Sequence, residues 1–154
     1  MNQNNVVTEV AKTVVTQDLN NIPNGYLVEL FKGEDGISTE VVLTVAYPGA
    51  TKGYHAYRNR TMRFVCVYGE VSVNTINLFT GETVKIYLSS RQNEQRMIIP
   101  PNHAILLDNP FNDSAYIISY PDPPYIPGTD EQFKLTYEQV MQIVKDKSWD
   151  EQKT

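Results

Sequence analysis

The segment MRFVCVYGEVSVNTINL, residues 62–78, contains two runs of β-branched, aromatic and other apolar residues separated by Gly69. Runs of this length and composition, interrupted by a turn residue, are typical of consecutive β-strands. The same pattern extends outward in both directions, and Gly, Pro, Asn and Asp separate further runs, with no helical spacing between them. The runs lie at 41–46, 62–68, 71–78, 83–88, 96–99, 104–107 and 115–120. This pattern predicts an all-β sandwich or barrel.

The flanking segments set the expected limits of this domain. A further strand is predicted at 26–31, after Pro23-Asn24-Gly25, and it could pair within the chain or across a dimer. Residues 121–128 contain four prolines, which cannot donate to a ladder, so the barrel is expected to span about 22–128. Thr136 and Gln139 form a capping-box pattern that predicts a helix over 136–147, packed on the outside of the barrel. We therefore expect a single domain over residues 1–154.

The composition restricts the classes of partner. With a net charge of −5 and a pI near 5.0, the chain is poorly suited to nucleic acid or anionic membranes, although a local basic pocket remains open. Cys66, the only cysteine, lies inside an apolar run and is expected to be a buried thiol. No segment has the length or hydropathy of a signal peptide or membrane span, so we expect a cytoplasmic protein with no membrane partner.

Two spaced patterns resemble the motifs of the cupin superfamily. The first cupin motif is G-x5-H-x-H-x4-E-x6-G. The chain resembles it, with Gly49, His55, Tyr57, Met62 and Gly69 at the spacing of the five named positions. The second, P-x-G-x2-H-x3-N, is similar to Pro100, Asn102, Ile105 and Asn109. The resemblance implies a cupin-type double-stranded β-helix, or jelly-roll barrel, with a short C-terminal helix. Three of the four metal-ligand positions are Tyr57, Met62 and Ile105, so we expect neither a metal nor another cofactor, because one histidine cannot retain a transition metal.

Within the cupins, the chain resembles the dTDP-4-dehydrorhamnose 3,5-epimerase family over roughly residues 22–128. The motifs that carry this resemblance are Lys52-Gly53-Tyr54-His55, Gly69-Glu70-Val71, Leu88-Ser89, Ile99-Pro100-Pro101 and Gly25-Tyr26-Leu27-Val28-Glu29. The implied reaction removes a proton from the carbon next to a C4 ketone. His55 is the implied base, because neutral imidazole, with a pKa of about 6.5, accepts protons at neutral pH. Tyr57 lies two residues further along the strand and should share its face, towards the interior.

The proton donor departs from the family pattern. The family places a tyrosine on a late strand, opposite the base, and alignment puts Ser119 at that position. A slip of one residue would present Tyr120 instead, since strand faces alternate, so Tyr57 and Tyr120 are both candidate donors. His103 lies two positions before the histidine of the family's second motif, which favours an outward-facing ring.

Substrate-binding residues are also implied by the resemblance. Lys52 stands where the epimerases have a phosphate-contacting arginine, and Arg60 and Arg63 are further candidates for diphosphate contacts. Tyr26 and Glu29 lie on a strand that in the family reaches the neighbouring subunit's nucleotide site, so a homodimer that exchanges edge strands is expected.

The sequence therefore predicts an epimerase or isomerase of a nucleotide-linked 4-keto-6-deoxysugar, in polysaccharide or deoxysugar biosynthesis. Two alternatives stay open. One is a non-catalytic cupin that binds sugar, and the other is a 3,4-ketoisomerase, which relatives with a segment resembling His55-Ala56-Tyr57 represent. A dioxygenase of the cupin type is disfavoured because the metal-ligand positions are lost.

Overall fold

The structure, a computed structural model, describes residues 6, 8–31, 40–91, 95–124, 128 and 131–154. These residues form eleven strands, an α-helix and a short 3-10 helix at Trp149–Glu151. The strands are β1 Lys12–Gln17, β2 Pro23–Phe31, β3 Val41–Ala46, β4 Thr51–Tyr57, β5 Thr61–Tyr68, β6 Glu70–Asn77, β7 Thr83–Ser89, β8 Arg96–Ile99, β9 His103–Asp108, β10 Ala115–Asp122 and β11 Gln132–Lys134. The α-helix, α1, is Tyr137–Asp146.

The strands form two antiparallel sheets. The larger sheet has the order β1-β2-β3-β10-β5-β8, and the smaller sheet has the order β11-β4-β9-β6-β7. The four strands β3-β10-β5-β8 and the four strands β4-β9-β6-β7 make up a jelly roll, in which successive strands alternate between the sheets except at the hairpin of β6 and β7. This arrangement confirms the all-β, jelly-roll fold expected from the sequence.

Alternation along the strands builds the core between the sheets. In β5, Met62, Phe64 and Cys66 are buried, and they pack with Ile117 of the neighbouring β10 and with Leu107 of β9 in the facing sheet. The thiol of Cys66 is buried as predicted. At one end of the space between the sheets, polar side chains such as Lys52 and Arg60 lie beside apolar residues of this core.

The C-terminal segment covers the outer face of the smaller sheet. Thr136 caps α1 in the predicted capping box, its hydroxyl accepting from the amide of Gln139, 3.1 Å away. The buried side chains of the helix are Val140 and Ile143, which face the sheet, whereas Tyr137 is more than half exposed. Within the described residues, the helical segments lack the length and hydropathy needed to cross a bilayer.

Two strands lie outside the predicted barrel limits. β1 precedes residue 22 and pairs with β2, while β11 follows residue 128 and pairs with β4. The predicted strand at 26–31 is therefore not an edge. It is paired with β1 on one side and β3 on the other, because six residues from Lys12 to Gln17 complete the ladder within the same chain. The expectation that this backbone is free for strand exchange is corrected accordingly.

Candidate functional site

A cavity of about 470 Å³ lies between the sheets, at the polar end of the sandwich. β4 and β11 supply one wall, while β2, β3 and β10 supply the other, and β1 and the residues after it border the opening. Six of the nine predicted site residues line it: Glu29, Lys52, His55, Tyr57, Arg60 and Ser119.

His55 lies in the middle of β4 with its side chain in the cavity. Burial is the main cause that lowers the pKa of His55 to about 4, and the charges of Lys134 and Lys52 add to it. The ring is therefore neutral at physiological pH. No hydrogen bond from another described residue holds its nitrogens. A neutral, unbonded imidazole at a cavity wall can accept a proton from a bound molecule.

Lys52 shares this wall only because β4 is irregular. Residues three apart on a regular strand face opposite sides, but the pairing shifts so that Lys52 lies opposite Leu107 and His55 lies opposite Ile105, two residues apart on β9. Gly53, at φ 119°, makes this shift possible, since a side chain there would meet the carbonyl oxygen of Ile105. The irregularity directs both functional side chains into the cavity.

Lys52 is a buried cation, 6% exposed. Its Nζ donates to Thr16 Oγ1 at 2.8 Å and to the carbonyl of Tyr26 at 3.4 Å. Thr16 in turn donates to Asn24 Oδ1 at 2.7 Å. Burial lowers the pKa of Lys52 to about 8. No carboxylate of the described chain forms an ion pair with it. Its neighbours orient the ammonium group without neutralising it.

Tyr57 is held in a buried ionic cluster. The guanidinium carbon of Arg60 lies 4.7 Å from the centre of the Tyr57 ring, and Arg60 pairs with Glu131 at 2.7 Å. Burial raises the pKa of Tyr57 to about 12 against the opposing effect of the Arg60 charge, so the hydroxyl stays protonated. Arg60 thus lines the cavity, but its charge is balanced by a partner.

The opposite wall carries Ser119 on β10, within 3.4 Å of the hydroxyl of Thr44 on β3. Glu29 on β2 and Glu40, just before β3, also line this side. Hydroxyl and carboxylate groups therefore face the wall that holds His55.

Three predicted site residues are not brought to the cavity. Tyr120 alternates with Ser119 and Pro121, which both line the cavity, so its ring faces the outer side of the larger sheet. There it lies 5.7 Å from the guanidinium carbon of Arg63, which pairs with Asp122 at 3.5 Å. Tyr26 lies on the same outer side, with its ring 6.3 Å from that of Tyr47. The register slip that would present Tyr120 does not occur, and this placement argues against its role as a donor.

Other residues contribute that the sequence prediction missed. Lys134 and Gln132 of β11, Thr16 of β1 and Glu40 all line the cavity. The alternation Gln132-Phe133-Lys134-Leu135 was the available sign of a strand, but it is short and follows a proline-rich segment. His103 lies outside this cavity, its Nδ1 3.0 Å from the carbonyl of Pro101. Among the described residues, no three His, Cys, Asp or Glu side chains are grouped so that they could hold a metal ion.

Comparison with solved structures supports the fold. CapF, the capsular polysaccharide assembling protein of Staphylococcus aureus, superposes with a TM-score of 0.70 at 18% identity, covering 83% of this chain and 33% of CapF. The chain thus spans about a third of the length of CapF. Protein SO0799 of Shewanella oneidensis gives a TM-score of 0.65 at 10% identity, covering 86% of this chain and 85% of that one. The cupin domain of Drosophila melanogaster CENP-C gives 0.54 at 10% identity, covering 72% and 76%.

Sequence comparison supplies the family. No curated protein matches the chain. The family model described as the polysaccharide biosynthesis C-terminal domain matches residues 20–133, which include both walls of the cavity and most of both sheets. The chain therefore belongs to the polysaccharide biosynthesis C-terminal domain family.

Proposed function

We propose that the cavity binds a nucleotide-linked 4-keto-6-deoxysugar and that His55 isomerises it by metal-free proton transfer next to the ketone. The observation that carries this proposal is the unbonded, neutral ring of His55 on the same wall as the unneutralised cation of Lys52. The family's description and the likeness to a capsular polysaccharide assembling protein support a role in polysaccharide biosynthesis.

The proton transfer uses these two groups together. His55 takes a proton from the carbon beside the ketone, the electron pair of that C–H bond forms a carbon–carbon double bond, and the π pair of the carbonyl moves to its oxygen as an enolate. Imidazolium is unfavourable at this buried position, as the low pKa of His55 indicates. A nearby enolate oxygen offsets that cost through its negative charge, and the ammonium of Lys52 stabilises the oxygen. Return of the proton to carbon regenerates neutral His55.

Tyr57 lies two residues from His55 on β4, lines the same cavity and completes the set as a donor. With a pKa raised to about 12, it carries its proton at any physiological pH. It can donate a hydrogen bond to the ketone or its enolate. Proton return from the opposite face would have to come from the wall of Ser119.

One observation favours a 3,4-ketoisomerase as the second candidate. His55 and Tyr57 share one wall, and Tyr120 faces away from the cavity. A single base that moves the proton of C3 to C4 on one face of the sugar, while the C3 hydroxyl proton passes to the C4 oxygen, isomerises the ketone without inverting a centre. The stereochemistry of the product separates this reaction from epimerisation.

The test is solvent deuterium incorporation into a dTDP-4-keto-6-deoxysugar, followed by mass spectrometry and NMR of the product. We expect His55→Asn to slow incorporation by at least about 100-fold, the usual effect of losing a general base. His103→Asn is the matched control, because His103 is the only other histidine and lies outside the cavity, and it should exchange as the wild type does.

Exchange by His55→Asn at the wild-type rate would refute the proposed base. Tight binding of the sugar nucleotide by the wild type with no exchange would instead support the non-catalytic, sugar-binding alternative.

A further inference from the structure

The short strand β11 presents its residues alternately to two environments. Gln132 and Lys134 line the cavity, whereas Phe133 between them is buried on the other side, in the cluster beneath α1. The Cα atoms of Lys134 and His55 are direct partners in the ladder. The position of this cavity wall therefore depends on how Phe133 is held.

A clamp formed by Arg58 and Trp149 holds Phe133. The rings of Phe133 and Trp149 meet edge to face at 4.8 Å, and the guanidinium carbon of Arg58 lies 5.0 Å from the centre of each. Arg58 also donates to the carbonyls of Trp149 and Gln152, at 3.0 and 2.9 Å. The indole Nε1 of Trp149 donates to Asn102 Oδ1 at 2.8 Å. These contacts fix the chain after α1 to the outer side of β11.

Lys134 is a second cation beside His55, and it differs from Lys52 in its surroundings. Lys52 is buried, while Lys134 is exposed where the cavity meets solvent. As with Lys52, no ion pair joins Lys134 to a carboxylate in the part of the chain that the structure describes. Both charges lower the pKa of His55, so both act on the same point of the cavity. The wall of β4 and β11 therefore concentrates positive charge in a chain of net charge −5.

We propose that Lys134 is a second anion-binding residue of this cavity, that it contacts a phosphate of a nucleoside diphosphate, and that Arg58 and Trp149 are positioning residues that hold its strand. This inference rests on the proposed function for the identity of the ligand. A diphosphate carries at least two negative charges, which a single lysine does not neutralise. An exposed cation at the opening suits the solvated diphosphate, whereas buried Lys52 suits the sugar end.

The first test is binding of dTDP, measured by calorimetry. Lys134→Gln should raise the Kd by about fivefold, the effect expected for one charged contact that is partly screened by solvent. Lys134→Arg keeps the charge and should restore most of the affinity. Lys145→Gln, at an exposed position in the last turn of α1, is the matched control and should bind dTDP as the wild type does.

The second test follows the titration of His55 by NMR in the same proteins. Lys134→Gln removes a cation and should raise the His55 pKa. Trp149→Phe, which loses the bond to Asn102 but keeps an aromatic ring, should weaken dTDP binding and raise the His55 pKa in the same direction. A lower melting temperature without either change would show a merely structural role for Trp149 and would overturn the positioning claim.

Failure of this inference is distinguishable from failure of the proposed function. If the wild type exchanges deuterium and Lys134→Gln binds dTDP as tightly as the wild type does, the role of Lys134 is overturned and the proposed function is not. Binding of dTDP that depends on Lys134, without any exchange, would support this site and refute the isomerase. A wild type that does not bind dTDP would overturn the inference directly.

Discussion

Replacement of Lys52 by methionine should make the empty protein more stable. The pKa of Lys52 falls from 10.5 to about 8 because of burial, which at about 1.4 kcal/mol per pH unit corresponds to roughly 3 kcal/mol against the folded, charged state. Loss of the hydrogen bonds to Thr16 and Tyr26 offsets about 1 kcal/mol of this. We therefore expect Lys52→Met to gain about 2 kcal/mol at pH 7, or about 4–8 °C in Tm for a domain of this length.

The gain should depend on pH with a definite sign. Lys52 titrates at a lower pH in the folded chain than in the unfolded chain, so the cost is complete below about pH 8 and disappears as the pH rises towards 10.5. The difference between Lys52→Met and the wild type should therefore shrink as the pH is raised from 7 to 9.5. Urea unfolding at a series of pH values measures it. Lys153→Met, the same change at an exposed position near the C-terminus, should show no gain.

Adding a ligand should separate the cost of Lys52 to stability from its contribution to binding. Addition of a dTDP-4-keto-6-deoxysugar should raise the Tm of the wild type, because a ligand that binds only the folded state stabilises it, and should raise that of Lys52→Met much less. A Lys52→Met protein that is less stable than the wild type at pH 7, or a gain that does not change with pH, would refute the interpretation of Lys52 as an unneutralised buried cation.

Two further predictions concern pH and assembly. Because the His55 pKa is about 4 and that of Lys52 is about 8, the rate of deuterium exchange should be flat from about pH 5.5 to 7.5 and fall above pH 8 as the Lys52 cation is lost; an acid limb near pH 6.5 would contradict this. We also propose a homodimer through the outer face of the larger sheet, where Tyr68 and Ile98 are 58% and 54% exposed and where six strands at about 4.8 Å spacing give the width of a standard interface. Sedimentation should give a dimer for the wild type and a monomer for Tyr68→Lys, and a monomeric wild type would refute it.

The jelly-roll strands were predictable because their signal is local. Residues 41–46 and 96–99 are strands with the predicted bounds, since short runs of β-branched and apolar residues bounded by turn residues are a local signal for strands. β1 and β11 were missed because they owe their existence to tertiary contacts. Lys12–Gln17 is largely polar and is ordered by pairing with β2, and Gln132–Lys134 is anchored by the burial of Phe133.

The site was predictable only where it follows regular alternation. His55 and Tyr57, two apart on β4, share the cavity as expected. Regular alternation would place Lys52 and His55 on opposite faces of β4. The irregularity at Gly53 places them on the same face, and this irregularity depends on how β9 pairs with β4. The inward direction of Ser119 rather than Tyr120 likewise depends on the register between β10 and its neighbours.

The cavity has two buried cations, Arg60 and Lys52, and they differ in whether their charge is balanced within the fold. Arg60 has Glu131 at 2.7 Å and the ring of Tyr57 beneath it, so its charge is already balanced within the fold. Lys52 is as deeply buried, yet its described neighbours offer it a hydroxyl and a carbonyl and no opposing charge. An uncompensated buried charge lowers stability, and such a cost persists where function requires it. The contrast between the two residues therefore supports the proposal that the missing negative charge belongs to a ligand bound beside His55.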